Sequence, residues 1–119
     1  MTEVESYVEA LTPAEAAVIR GYYARALELV PEAVPGRKYA MPCLTYRDRG
    51  LVALVVRSHG FSLYPFGAAP IERAQALLGG LSTSSGAVRF TADRLVPMDA
   101  FDQMVLDSRV GIDERLKRS

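Results

Sequence analysis

The chain of 119 residues carries 14 basic and 14 acidic side chains, so no net field draws in a polyanion and nucleic acid is disfavoured as a partner. Half of its residues are hydrophobic, which suits one globular domain spanning residues 1–119, and a single cysteine with a single histidine excludes an internal disulfide or a zinc site of four nitrogen and sulfur ligands. No apolar run reaches membrane-span length and the first residues lack the regions of a signal peptide, so no membrane partner and a cytoplasmic location are expected.

In chain order, "TEVESYVEAL" spaces Val4, Tyr7, Val8 and Leu11 at helical intervals. "TPAE" then supplies an N-cap at Thr12, a proline at the first helical position and Glu15 for a capping box. The helix it starts is predicted to run to about Val30, with Val18, Tyr22, Ala26 and Leu29 as its apolar stripe and Ile19 and Tyr23 widening it. Gly21 is expected to permit close packing against a strand. From Pro31 to Pro42 the prolines predict an irregular connection with a short extended piece.

"CLTYR" and "LVALVVR" flank a hairpin turn, "DRG", in which Gly50 is expected to supply the unusual backbone angles. Leu51 to Val56 reads as the central buried strand, and "FSLYPF" as the next strand, ended by Pro65. "IERAQALLGG" predicts a short helix, "AVRF" a last strand, and "MDAFDQMVLDSRVGIDERLKRS" a C-terminal helix with Phe101, Val105 and Ile112 inward. Helices, then consecutive strands, then helices give an α+β domain built on one antiparallel sheet.

No Gly-rich phosphate loop is present. "RKYAMPCLTY" holds the only cysteine. In the structural reading Pro42 is a bend entering a strand, Met41 fills core space and Cys43 is a buried hydrophobe; this is favoured over a Cys43 nucleophile with His59 as base, because no helix start follows to lower the thiol pKa. His59 sits at a turn. Alternation places Tyr64 on the face opposite Phe61 and Leu63, where it can share a concave surface with Tyr39. "STSSG" can form an anion-holding nest or a plain loop.

Four stretches, "KYAMPCLTY", "SHGFSLYPF", "LSTSSGAVRF" and "LVPMDAFDQMV", occur in an order that resembles the YdhG-like family, domain of unknown function 1801. The family's motifs that these stretches resemble are Tyr-Gly-Met-Pro, Lys-x-His-x-x-x-Tyr-Pro, Ser-Lys-Gly-x-x-x-Phe and a late Pro-x-x-x-Leu/Ile. Ala40, Arg57 and Ser85 depart from the glycine and two lysines of that pattern. The resemblance implies a curved antiparallel sheet packed against N-terminal, middle and C-terminal helices.

It also implies, from one member described as a frataxin-like iron chaperone, loosely bound iron and an iron-delivery partner protein. Hard oxygen donors suit iron, and Glu5 with Glu9 and Asp99 with Asp102 each lie one helical turn apart, although such pairs commonly serve solubility. The expectation is therefore a domain that binds a small ligand or metal ion and leans away from catalysis. An alternative pocket enzyme or ligand sensor would use Lys38, Tyr39, Met41, Pro42, His59, Tyr64, Ser85 and Gly86. Self-association as a homodimer through the sheet face is the third reading.

Overall fold

The computed structural model describes residues 2–84 and 86–118. Two threonines start the N-terminal helices by the same chemistry. The Thr2 hydroxyl accepts the Glu5 amide at 3.1 Å to open α1 (Glu3–Glu9). At α2 (Pro13–Leu29) the capping box forms in full, Thr12 accepting from the Glu15 amide at 3.2 Å and Glu15 from the Thr12 amide at 3.1 Å. α2 buries Ala16, Ile19, Tyr22, Tyr23 and Ala26, so the inward stripe is displaced from Val18 and Leu29, which are only partly buried. Gly21 does not pack against a strand: a side chain there would meet nothing within 4 Å.

Six strands form one antiparallel sheet: β1 (Val34–Lys38), β2 (Met41–Tyr46), β3 (Arg49–Arg57), β4 (Gly60–Tyr64), β5 (Thr83–Ser84) and β6 (Ala87–Phe90), in the order β1-β2-β3-β4-β6-β5. The expected irregular connection is thus partly a strand, and Pro35 is tolerated because β1 is at the edge. Between β4 and β5 lie α3 (Ala68–Arg73), which starts earlier than Ile71, and a short 3-10 turn over Gln75–Leu77. α4 (Met98–Arg118) follows β6, with Asp99 in its first turn and Arg115, Lys117 and Arg118 in its last, each complementing the helix dipole. The α+β architecture predicted from the order of elements is the one observed.

β3 changes partner along its length. Its pairing with β2 runs from Tyr46↔Arg49 to Leu44↔Val52, with a register shift between Leu44 and Thr45; its pairing with β4 runs from Ala53↔Tyr64 to Arg57↔Gly60. Where β2 has parted from it, the helices take over: the Leu54 amide donates to the Tyr23 hydroxyl at 2.9 Å and the Val56 amide to the Tyr7 hydroxyl at 2.8 Å. A buried amide left unpaired would cost about 1–3 kcal/mol, so these two tyrosines complete the sheet. Burial pushes the Tyr23 phenol well above its ordinary value. Pro42, with no N–H to give, falls in the stretch of β2 that has no β3 partner, in register with Arg37 of β1. It is a buried strand residue rather than a bend before the strand.

The tight turn between β2 and β3 places Arg47 and Asp48, not Gly50, in the left-handed region, at φ of 51° and 66°. Gly50 has another reason to be glycine. A Cβ there would lie 2.7 Å from the Phe66 ring, which covers it. The core lies between the helices and one sheet face, with Phe101, Ile19, Leu44, Leu54, Leu63 and Ile112 among its fully buried side chains. Tyr22 stands at its centre, 4.9 Å from Phe101 and 5.5 Å from Phe90 between ring centroids, and donates its hydroxyl to the Val96 carbonyl at 2.8 Å. Desolvation pushes its pKa up to about 12.

Candidate functional site

Strand alternation divides the β3–β4–β6 ladder into two faces. Leu54↔Leu63↔Val88 and Val56↔Phe61↔Phe90 point to the core. The opposite face carries Ala53↔Tyr64, Val55↔Ser62↔Arg89 and Arg57↔Gly60, so small residues form its floor and Tyr64, Arg57 and Arg89 rise from it. Arg57 and Tyr64 belong to ladder pairs on either side of Val55↔Ser62, and their side chains meet across it: Arg57 donates to the Tyr64 hydroxyl and its guanidinium carbon lies 5.6 Å from the Tyr64 ring centroid. Val55 and Ser62, the ladder pair between those this arch joins, are both buried.

On one side of the arch is an aromatic hollow of about 450 Å³, bordered by Tyr39, Met41, Tyr64, Phe66, Gly67 and Gly86. Tyr39 is 85% exposed and stacks on Phe66 with centroids 6.0 Å apart, a large apolar surface facing water. An adjoining hollow of about 430 Å³ adds Lys38, Arg49 and Gly50 around the same Tyr39 and Phe66. Met41 borders the first hollow and is half-buried, where core filling was expected. The structure therefore brings Tyr39, Met41, Tyr64 and Gly86 together, with Lys38 beside them. Pro42 borders neither hollow, and Ser85 lies outside the described residues.

His59 belongs elsewhere. It lies in the β3–β4 turn and borders two clefts at that end of the sheet, of about 490 and 300 Å³, with Arg57 and Ser58 in both. Arg89 and Arg94 line the larger one. Gly60 sets the close approach of this turn to β6: at φ 134° it sits where a Cβ would be 2.5 Å from the Phe90 carbonyl oxygen. Cys43 is fully buried, borders neither His59 cleft, and has its thiol pKa raised by desolvation, against the lowering effect of Lys38. A thiol so placed is a packing element.

The four expected metal ligands remain two separate pairs. Glu5 and Glu9 are exposed on α1. On α4, Asp99 accepts the Ala100 amide at 2.8 Å, while Asp102 receives the Nε and Nη2 of Arg25 at 2.9 and 2.6 Å. No group of three or more His, Cys, Asp or Glu able to hold a metal occurs among the described residues. Nor is any helix long and apolar enough to cross a membrane among them.

Phe66, Arg89 and Arg94 were not singled out by sequence. The alternation of "AVRF" gives a signal for Arg89, since Val88 and Phe90 are the inward residues. Phe66 follows Pro65 outside any strand, and Arg94 lies outside the named elements in an isolated bridge with Thr91; neither carries a periodic signal.

No family model matches the sequence, and no curated protein matches it. Among solved structures, the fold is similar to the crystal structure of YdhG from Bacillus subtilis, a protein of the family of domain of unknown function 1801, with a TM-score of 0.75 and 12% identity over 85% of this chain and 83% of that one. At that identity the likeness is one of fold, and it agrees with the architecture the sequence motifs implied.

Proposed function

We propose that the chain is a YdhG-like domain that binds a small amphipathic ligand without turning it over, in the hollow framed by Tyr39, Met41, Tyr64, Phe66 and Gly86. Membership of the family is supported by the order of the four sequence motifs together with the shared fold. The ligand reading rests on one observation above all. Tyr39 and Phe66 offer a stacked aromatic surface that the fold leaves open, while Lys38 borders the adjoining hollow and supplies a positive charge to meet a negative group. Non-covalent binding suits a site where the Cys43 thiol is buried and borders neither cleft that His59 lines. A cytoplasmic setting would keep that thiol reduced.

We prefer this reading to iron delivery. Arg25 already holds Asp102 in a two-pronged ion pair, and the remaining carboxylates supply two donors on α1 and one capping donor on α4, short of the oxygen set a hard cation takes. A titration with 2-naphthoate, followed by amide NMR shifts, tests the proposal. Saturable shifts at Tyr39, Met41, Tyr64, Gly67 and Gly86, lost in Tyr39→Ala, are expected. Absent shifts, or saturable shifts confined to other residues, would overturn it.

A further inference from the structure

We infer that the cleft between the β3–β4 turn and β6 is a second site, specific for the phosphoryl group of a small molecule. Arg57, Arg89 and Arg94 line one concavity of about 490 Å³, and His59 and the hydroxyl-bearing Ser82 and Thr91 line it with them. No carboxylate lines it among the described residues. The other cationic hollows each include a carboxylate: Asp107 and Glu114 accompany Arg73, Arg115 and Arg118, and Asp48 accompanies Lys38, Arg49 and Arg115. The carboxylate beside the adjoining smaller cleft, Glu15, already accepts the Thr12 amide in the capping box.

Two of the three guanidiniums are held in place by neutral partners. Arg94 donates one Nη2 bond to the Gly79 carbonyl at 3.0 Å, and its amide donates to the Thr91 hydroxyl at 3.1 Å. Arg57 is held by the Tyr64 hydroxyl. Each such contact leaves most of the five N–H donors of the guanidinium free, and none neutralises its charge. Arg89 makes no hydrogen bond or ion pair through its side chain among the described residues. Three like charges lining one hollow repel one another, and a multivalent oxyanion, which accepts forked N–H pairs, is the occupant that would neutralise them.

A phosphoryl or diphosphoryl group fits better than a polyanion. The volume is that of a small-molecule site, and a chain with zero net charge exerts no long-range pull on nucleic acid. The site is independent of the aromatic hollow apart from the shared Arg57–Tyr64 arch.

Titration with pyrophosphate at constant ionic strength, with amide NMR shifts as readout, tests the inference. Saturable shifts at Ser58, His59, Arg89 and Thr91 are expected. Arg89→Gln should weaken binding by about tenfold or more, with Arg89→Lys in between and Tyr39→Ala unchanged. Linear shifts spread equally over Arg49 and Arg115 would overturn it, as would full affinity in a folded Arg89→Gln. So would an RNA oligonucleotide that occupies the same residues more tightly than pyrophosphate. Loss of 2-naphthoate binding alone would remove the aromatic site and leave this one standing.

Discussion

Arg25, Arg47 and Arg109 each meet a carboxylate on or beside a helix, Asp102, Asp113 and Glu32 respectively, whereas Arg57, Arg89 and Arg94 at the far end of the sheet meet none among the described residues. The tyrosines divide in the same way. Tyr7, Tyr22 and Tyr23 bind backbone groups and Tyr46 donates to Asp113, all on the helix-covered side; Tyr39 stands in water, and Tyr64 is engaged only by Arg57. On the helix-covered side each of these tyrosine hydroxyls has a partner, whereas Asp107 keeps one buried carboxylate oxygen without a hydrogen bond among the described residues. On the open side, donors and aromatic faces are left with capacity for something else. That asymmetry separates the candidate sites from the rest of the surface.

The two regions differ most in what their apolar side chains contribute to stability. Leu54→Ala, fully buried on the core face of β3, should cost about 2–5 kcal/mol. Tyr39→Ala on the open face should stay within about 0.5 kcal/mol. Thermal melts of both variants decide it; a comparable loss in Tyr39→Ala would make that ring a structural element and remove it from the site. The next contrast isolates a hydroxyl. Tyr23→Phe leaves the Leu54 amide without its acceptor, at a cost of about 1–3 kcal/mol, and should speed hydrogen exchange at that amide. Tyr64→Phe removes only a surface contact to Arg57 and should leave the melt nearly unchanged. Unaltered exchange at Leu54 in Tyr23→Phe would mean that β3 finds its acceptor elsewhere.

These contrasts also show what could be read from the sequence. The capping box at Thr12, the buried run of β3 and the inward face of α4 are local patterns, each fixed by residues within a turn or two, and all three were legible. The departure of β2 from β3 was not. It depends on Tyr7 and Tyr23 reaching amides 49 and 31 residues away, which no periodicity records. The site was half legible for the same reason. Tyr64 follows from alternation and Tyr39 from the motif beside it, but their neighbour Phe66 lies outside any strand. His59 and Tyr64, close in sequence, were expected to share a pocket; the rise along β4 carries them to different hollows.

The smallest effect probes the paired arginines through pH. Asp113 accepts from Arg47 at 2.9 Å and from Tyr46 at 2.9 Å, and these bonds, Arg47's first, hold its carboxyl below the ordinary carboxylate range. A carboxyl lowered in the native state stabilises the fold fully above its unfolded value, about 4, and that contribution fades as pH falls through the native value. Asp113→Asn should therefore melt slightly below the parent at neutral pH, with the gap closing as the solution is acidified from about pH 5 towards pH 2. Because both groups are substantially exposed, added salt should shrink the gap. Arg89→Gln, with no carboxylate to release, should track the parent at a constant offset across the same range. Parallel curves for Asp113→Asn would show that its pairing is not felt by the fold, and a pH-dependent gap for Arg89→Gln would reveal an acidic partner in that cleft.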